Sequence, residues 1–303
     1  MSVEQLFIYP IKSCGGIKVE EALVTKYGLA LPLNPDIVDR RWMIIKDGRF
    51  QSQRVRSRMP LIQPSFVKDG LCLRAPNMPE LYVPVNPLPD EVVHCYCWKY
   101  PILGLRYGDH VSHWLRTFFE TEDNLDLVVF DYKQFEGRQC KNSSDPNSAR
   151  DGDVSIYHDM GPINLCSTKS LYDLNTRMEK KIKLNNFRAN IFVTNITEPY
   201  AEDCWREIEI GKVKLTWIAA CIRCLLPTVD QETGIKDPNQ EPLKTLKTYR
   251  LKPIPYDVSP LFGINMAPTD DNSIGVIIRV GDLVQVKTEE LDFWSKNASV
   301  SSN

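Results

Sequence analysis

The sequence predicts a β-rich α/β protein of two lobes, in which barrel-forming strands carry most of the chain and helices are few. Short apolar or alternating runs recur along the chain, and two amphipathic helices interrupt them. A polar, turn-rich stretch separates the two strand-rich parts. At 303 residues the chain is long for a single hydrophobic core. We therefore expect an N-terminal lobe over residues 1–130, a linker over 131–153, a second lobe over 154–290 and a polar C-terminal tail over 291–303.

The overall composition excludes several classes of partner. The hydrophobic fraction of 43% and the charged fraction of 25% are ordinary for a soluble globular protein. A net charge of −2 gives no reason to expect nucleic acid, so any basic surface must be local and suited to a small anion. No window approaches the ~20 apolar residues of a membrane span. The nine cysteines are an odd number among apolar neighbours, which is typical of reduced thiols and predicts a cytoplasmic location.

The first lobe begins with short strands. They are predicted at residues 5–9, 41–45 and 49–53, and Lys46-Asp47-Gly48 between the last two is a good hairpin turn. Prolines crowd residues 76–89 and indicate edge strands and loops. Asp109 is the expected N-cap of a helix whose apolar face follows helical spacing, through Val111, Trp114, Leu115, Phe118 and Phe119.

The second lobe follows an exposed polar loop over residues 141–153. A helix is predicted after Ser167, with an apolar face formed by Leu171, Leu174, Met178 and Ile182. Strands are expected at residues 189–194, 206–210, 213–218, 274–280 and 282–286. The last two flank Gly281-Asp282 and are interpreted as the closing strands of a small barrel.

Cys221-Ile222-Arg223-Cys224 is the one Cys-x-x-Cys in the chain. A thiolate binds soft metals, and a neighbouring guanidinium favours the thiolate form. Three alternatives remain open for this pair besides a metal-cofactor site. A structural zinc site needs further ligands such as His94, Cys95 and Cys97, whose spacing is poor. A redox dithiol would lack a thioredoxin-like context. Arg223 argues against a buried structural pair, because a charge at the end of a strand needs a partner.

A set of basic residues beside predicted turns indicates an anion site. Lys12 and Ser13 end the first strand and are followed by two glycines, while Arg40 and Arg188 stand at the starts of other strands. A cation beside backbone N–H groups forms an anion cradle, and the arginine fork suits phosphate. The chain has no Gly-x-Gly-x-x-Gly and no Walker A motif, so a phosphorylated cofactor other than an ordinary nucleotide is predicted.

Four of these segments occur in the order that is typical of the MOSC family of molybdenum-cofactor proteins, which this chain therefore resembles. They are Tyr9-Pro10-Ile11-Lys12-Ser13-Cys14, Asp39-Arg40-Arg41-Trp42, Asn186-Phe187-Arg188-Ala189-Asn190 and Cys221-Ile222-Arg223-Cys224. Further segments resemble the amidoxime-reducing branch, among them 201–205, 228–234, 241–250 and 259–263. The other branch, the C-terminal domain of molybdenum cofactor sulfurases, would require a large pyridoxal-phosphate domain upstream.

The resemblance implies a fold and a site. A MOSC-type N-terminal β-barrel lobe and a MOSC β-barrel domain would hold molybdopterin between them. Cys224 would be the molybdenum ligand and the catalytic residue, since a soft thiolate suits this metal. Lys12, Ser13, Arg40 and Arg188 would contact the pterin and its phosphate. Asn190, Ile222 and Arg223 would lie against the cofactor, the last two by their backbone.

The resemblance also implies an activity: an enzyme that reduces N-hydroxylated compounds, amidoximes to amidines and hydroxylamines to amines. No internal haem, flavin or iron–sulfur motif is visible, so electrons would have to come from a partner. The resemblance implies that this partner is cytochrome b5 with NADH-cytochrome b5 reductase. The alternatives are a molybdenum-cofactor carrier or sulfur-handling module without turnover, and a protein with a structural zinc.

Two departures from the branch are visible in the sequence. The branch usually carries a membrane anchor before the first motif, which here begins at Tyr9. A cytoplasmic location is therefore expected, or the cytosolic face of the mitochondrial outer membrane if another form of the chain carries an anchor. Met160, Gly161 and Pro227 also differ from the residue types usual in the branch, and they bear on substrate preference.

Overall fold

The computed structural model describes residues 1–141 and 148–295, and strands dominate it. In chain order the strands are β1 Ser2–Ile8, β2 Ile17–Val19, β3 Glu21–Thr25, β4 Gly28–Leu31, β5 Asn34–Val38, β6 Trp42–Lys46, β7 Arg49–Phe50, β8 Gln63–Val67, β9 Gly70–Arg74, β10 Leu81–Pro84, β11 Glu91–Cys97, β12 Tyr100–Arg106, β13 Leu125–Val129, β14 Arg138–Gln139, β15 Val154–Ser155, β16 Ile163–Ser167, β17 Ile191–Thr194, β18 Trp205–Ile210, β19 Val213–Ile222, β20 Leu261–Pro268, β21 Ile277–Arg279 and β22 Val284–Glu289.

The helices of the described residues are few and short. The α-helices are α1 Asp109–Phe119, α2 Thr168–Thr176, α3 Leu243–Lys247 and α4 Pro253–Tyr256, and single 3-10 turns lie at Met59–Leu61, Leu184–Phe187, Ala201–Cys204, Leu226–Thr228 and Asp271–Ser273. Among these residues, no helix combines the length and the apolar character needed to cross a membrane. The predicted β-rich fold with few helices is confirmed.

The N-terminal part contains a closed barrel of β11, β12, β13, β6 and β7, with α1 packed on β13. The turn between β6 and β7 is the one predicted from the sequence. Asp47 and Gly48 both have positive φ, 49° and 74°, which is the conformation of a tight hairpin turn and explains the glycine. A three-stranded sheet of β10, β9 and β8 lies beside the barrel, and the proline-rich stretch supplies its edge strand β10.

The C-terminal part is built on an eight-stranded sheet in the order β2-β1-β17-β16-β20-β19-β18-β22. Two of these strands, β1 and β2, come from the extreme N-terminus, and β1 pairs antiparallel with β17 through Leu6 and Ile191. The first strand therefore belongs to the sheet of the C-terminal part, while the residues directly after it join the barrel.

The segment after β1 crosses from the sheet to the barrel. The backbone N–H of Lys12 donates to the carbonyl oxygen of Trp42 at 2.8 Å, and the N–H of Trp42 donates to that of Pro10 at 3.0 Å. The Arg40 N–H donates to the Tyr9 carbonyl oxygen at 2.7 Å. Because these bonds use the backbone, the first two basic motifs of the sequence are fixed next to one another.

The predictions for the two helices need correction. Gly108, not Asp109, is the N-cap of α1; Asp109 is its first residue and pairs with Arg106 at 2.6 Å. Helix α2 ends at Thr176, because the side chain of Asn175 binds the backbone of Ile182 instead of allowing another turn. Met178 and Ile182 still pack in the same small core as Leu171 and Leu174.

The two strands around Gly281-Asp282 do not close a barrel together. Strand β21 pairs with β3 in a four-stranded sheet, and β22 pairs with β18 at the edge of the eight-stranded sheet. Gly281 has a φ of 91° and separates them. The prediction failed because pairing partners of short strands are chosen by tertiary packing.

The predicted linker and tail are described only in part. Residues 142–147 and 296–303 lie outside the described residues. Within the predicted linker, Arg150 donates to the carbonyl oxygens of Pro268 and Thr269, each at 2.6 Å. At the start of the predicted tail, Phe293 is buried in the core of the C-terminal part.

A buried acidic pair lies behind the sheet, in the turn Ala201–Cys204. Asp203 accepts hydrogen bonds from Arg250 at 2.6 Å and from the indole N–H of Trp294 at 2.8 Å. Glu202 accepts from the Ser170 hydroxyl at 2.8 Å and forms no ion pair with a basic side chain within residues 1–141 and 148–295. Burial, and then the charge of Asp203, raise the pKa of Glu202 to about 7.

This shift predicts a dependence of stability on pH. The folded pKa of Glu202 lies above the value of 4.5 for an ordinary glutamate, so between these pH values the folded state binds more protons than the unfolded state. The free energy of unfolding should therefore fall as pH rises from about 4.5 to 7, by roughly 2–3 kcal/mol from this group. In Glu202→Gln, the free energy of unfolding should fall less between pH 5 and pH 8 than in the wild type, as measured by urea unfolding at both pH values.

The matched control is Glu179→Gln, at an exposed glutamate. It should keep the pH dependence of the wild type. Equal pH slopes for Glu202→Gln and wild type would contradict the assigned role of Glu202.

Candidate functional site

A cavity of about 760 Å³ lies between the barrel and the eight-stranded sheet, a volume typical of small-molecule and cofactor sites. Strand β7 and the turn between β11 and β12 line one side, and β16, β19 and β20 line the other. All eight residues predicted for the site line this cavity: Lys12, Ser13, Arg40, Arg188, Asn190, Ile222, Arg223 and Cys224. The structure brings them together from four separate segments, and their roles stay predictions.

The two cysteines of the motif differ in their surroundings. Strand β19 ends at Ile222, and the chain then turns so that Cys224 is exposed, whereas Cys221 is half-buried. Burial raises the pKa of the Cys221 thiol, an effect that Arg223 only partly opposes. The exposed cysteine is therefore better placed to offer a thiolate to a metal in the cavity.

The Arg223 side chain turns away from the cavity and holds the loop in place. Its guanidinium donates to the carbonyl oxygens of Phe262 at 2.8 Å and Phe187 at 2.9 Å, and to Asn164 Oδ1 at 3.0 Å. Its backbone N–H donates to the carbonyl of Pro260 at 2.8 Å. Of the backbone groups of Arg223, this leaves the carbonyl for contact with a cofactor. The hydrogen bonds of the arginine also fix the position of Cys224, the next residue.

One glycine makes room for that guanidinium. Gly263 has a φ of 75°, and a Cβ there would stand 2.5 Å from the sulfur of Cys166 and 3.3 Å from the Arg223 guanidinium. Gly263 is the last residue of the segment 259–263, which resembles the amidoxime-reducing branch. It allows close packing beneath the loop that carries Cys224.

The segment 186–190 positions Arg188 through its neighbours. Asn186 donates to the carbonyl oxygens of Pro227 and Val229, and the Phe187 ring stacks on Phe262 with centroids 3.9 Å apart. Arg188 itself ends the 3-10 turn with a φ of 53°. Ser13 and Arg40 also have positive φ, 69° and 50°, and such backbone strain is concentrated at functional sites.

Arg188 and Arg40 both lie against Tyr9. Their guanidinium carbons lie 4.3 Å and 4.6 Å from the centroid of its ring. Arg40 is paired with the buried carboxylate of Asp39 and donates to the Arg188 carbonyl oxygen at 2.8 Å. Arg188 has no carboxylate within ion-pair distance among the described residues, and one of its nitrogens, Nη2, has no hydrogen-bond partner there. Burial lowers the pKa of Arg188 to about 10.

Lys12, Ser13 and Asn190 complete the predicted set. Lys12 donates to Asp159 Oδ1 at 2.5 Å. The carbonyl of Ser13 accepts from Gln53, whose amide also binds Gln231, the partner of Arg188. Asn190 binds the backbone of Asn164 and Phe7, so its side chain joins β16 to β1 beside the cavity.

The charge of the cavity is strongly positive although the chain carries a net charge of −2. Among the described residues, the lining includes a single acidic residue, Asp159, and seven basic ones: Lys12, Arg40, Arg49, Arg54, Lys99, Arg188 and Arg223, the last of which turns its guanidinium away from the cavity. His158 adds no charge at neutral pH, because burial lowers its pKa. The expectation of a local basic surface is met inside this cavity.

Sequence reasoning missed the rim that the barrel contributes. Arg49 and Phe50 follow the predicted hairpin turn, and Trp98 and Lys99 form the turn between β11 and β12. Arg54 stacks on Trp98 at 4.0 Å, and the Trp98 indole N–H donates to Asp159 at 2.8 Å. The sequence offered little indication of this rim. The dipeptide Trp98-Lys99 and the cysteine motif are far apart in the chain, and no local pattern shows that they line the same cavity.

The residues fit an anionic cofactor with a metal better than a structural zinc. Within residues 1–141 and 148–295, no group of three or more His, Cys, Asp or Glu could hold a metal ion by itself. The proposed zinc ligands Cys95 and Cys97 are buried in the barrel. An exposed thiol, a buried guanidinium with an unpartnered nitrogen and an excess of cations instead suit molybdopterin, whose pterin sulfurs and phosphate are negative.

Comparisons with known proteins agree with this architecture. Residues 1–122 match the MOSC N-terminal beta barrel domain, and residues 152–285 match the MOSC domain. The chain is 40% identical to mitochondrial amidoxime reducing component 2 of Bos taurus, covering 94% of this chain and 84% of the relative. The human component 2 is 38% identical over 93% of this chain and 82% of its own length.

A third relative, component 1 of Xenopus laevis, is 37% identical over 93% of this chain and 81% of its own length. The two domain matches correspond to the N-terminal and C-terminal parts that enclose the cavity. The similarity to the relatives extends over both parts. The chain therefore belongs to the MOSC-domain family, in the branch of the mitochondrial amidoxime-reducing components.

Proposed function

We propose that this protein is a molybdenum-cofactor-dependent reductase of N-hydroxylated compounds. The observation that carries the proposal is the cavity itself, whose described lining combines the exposed thiol of Cys224 with six basic side chains besides Arg223 and with one carboxylate. The names of the relatives, which specify amidoxime reduction, support the choice of substrate.

Cys224 would hold the molybdenum, and Lys12, Ser13, Arg40 and Arg188 would hold the pterin and phosphate. When bound, the cofactor would supply a two-electron reduction: an amidoxime, two electrons and two protons give an amidine and water. The protein would orient the substrate in the cavity. Arg223, tied to Phe262 and Phe187, would keep Cys224 in place during turnover.

The burial of Arg188 favours its binding to the negative phosphate of the cofactor. A guanidinium removed from water and left with an unpartnered nitrogen gains most from an anionic ligand. Asn190 and Ile222 would lie against the cofactor and shape the cavity wall. Met160, Gly161 and Pro227 line the same cavity and would influence which substrates fit.

We further propose that electrons come from an external b-type cytochrome, namely cytochrome b5 reduced by NADH-cytochrome b5 reductase. The basic rim at the cavity mouth supports this, because it suits a partner with an acidic surface. The relatives are named mitochondrial, so we propose action in the cytoplasm or at the cytosolic face of the mitochondrial outer membrane.

The assignment of Cys224 predicts a contrast between the two cysteines. In a host that makes the cofactor, wild-type protein should carry nearly one molybdenum and one pterin per chain. Cys224→Ser should lose the thiolate signature in the optical or EPR spectrum and at least about 100-fold in benzamidoxime reduction, because an alcohol is a poor soft-metal ligand. Cys221→Ser, the matched control, should keep both.

Metal lost in Cys221→Ser and kept in Cys224→Ser would reverse the ligand assignment. Zinc, or no metal, in the wild type would end the proposal of a molybdenum enzyme. A cofactor that exchanges readily, with no reduction of benzamidoxime by the reconstituted electron donors, would favour the carrier alternative.

The role of Arg188 predicts weaker cofactor retention when the guanidinium is removed. Arg188→Ala should lower the molybdenum content after gel filtration by several-fold, because the buried cation and its hydrogen bonds are lost. Arg177→Ala, at a half-exposed arginine outside the cavity, is the matched control and should retain the metal. Unchanged molybdenum in a folded Arg188→Ala protein would refute this role.

A further inference from the structure

Asp159 is the exceptional residue of the cavity, since it is the single acidic residue among the described residues of a lining that is otherwise rich in basic side chains. Its side chain is 62% exposed, whereas that of its partner Lys12 is only 7% exposed. The carboxylate therefore reaches into the open space of the cavity, while the ammonium lies in the wall.

One oxygen of this carboxylate is fixed and the other is available. Oδ1 accepts from Lys12 Nζ at 2.5 Å and from Trp98 Nε1 at 2.8 Å. Within the described parts of the chain, Oδ2 accepts no hydrogen bond. A carboxylate has about four acceptor sites, so a ligand with N–H groups can bind Oδ2 without displacing either partner.

The position of Asp159 relates it to the reacting end of the cavity. Asp159 lines the same cavity as Cys221 and Cys224, the proposed metal ligand, and its charge contributes to the raised pKa of Cys221. Desolvation alone would raise the pKa of Asp159, but Lys12 and the Trp98 N–H hold it well below its usual range. The group is thus an anion and an acceptor, and it is unsuited to donate a proton at neutral pH.

We infer that Asp159 is a substrate-positioning residue, which binds the amino group beside the N–O bond of an amidoxime through its free oxygen. The inference rests on the proposed function, and it assigns to this site a preference for substrates that carry an N–H donor next to the reducible N–O bond. Trp98 acts with it, because the indole N–H sets the direction of the carboxylate.

A pair of probes tests this without turnover. Benzamidoxime and benzaldoxime differ by the amino group alone, and both can be titrated into the cofactor-loaded protein by calorimetry in the absence of an electron donor. Wild type should bind benzamidoxime roughly tenfold more tightly than benzaldoxime, as expected for a hydrogen bond to a charged acceptor. Asp159→Asn and Asp159→Ala should reduce this preference to within about twofold.

Two further variants make the result specific. Trp98→Phe keeps an aromatic ring and removes the N–H, so it should lower the preference about threefold. Asp151→Asn, at an exposed aspartate outside the cavity lining, should leave it unchanged. In assays with electron donors, Asp159→Asn should raise the KM for benzamidoxime more than it lowers kcat, and should leave the KM for benzaldoxime, which lacks the amino group, unchanged.

Two results would overturn the inference. One is a preference for benzamidoxime in Asp159→Asn equal to that of the wild type. The other is loss of molybdenum in Asp159→Asn but not in Asp151→Asn, which would assign the carboxylate to cofactor retention. If wild type binds benzamidoxime in an Asp159-dependent way but does not reduce it, the proposed function fails and the binding assignment stands.

Discussion

The structure depends on the way in which the first strand is shared between its two parts. Strand β1 is held by β17 in the eight-stranded sheet, and Pro10 and Lys12, just after it, are held by Trp42 of the barrel. These backbone hydrogen bonds fix the barrel against the sheet, and the cavity is the space left between them. Because the crossing segment carries Tyr9, Lys12 and Ser13, the contact that joins the two parts also supplies one wall of the site.

Charge is the second constraint on this cavity. Cations are costly to bury, and Arg40 and Lys12 are compensated by Asp39 and Asp159. Arg188 is compensated less, by the ring of Tyr9 and the amide of Gln231. A protein retains such a weakly compensated buried cation at a cost to its stability, and an anionic ligand offsets that cost.

The segments that carry the family resemblance divide into two kinds when their contacts are followed. Some face the cavity, as Lys12, Arg40 and Cys224 do. Others act from behind: Asn186 and Phe187 set the position of Arg188, and Gly263 leaves space for the Arg223 guanidinium. The buried pair Glu202 and Asp203 belongs to the second kind and secures the turn before β18. The family motifs therefore include residues that hold the site in place as well as residues that line it.

The sequence by itself determined the β-rich class and the hairpin turn at Asp47-Gly48, and its motifs, through the family resemblance, predicted eight residues that the structure places around one cavity. Local features were sufficient there, because turn chemistry and short motifs are properties of neighbouring residues. It did not determine the partners of β21 and β22, the inclusion of β1 in the C-terminal sheet, or the meeting of Trp98 with Asp159. Those depend on contacts between residues far apart in the chain, which only the packing of barrel against sheet decides.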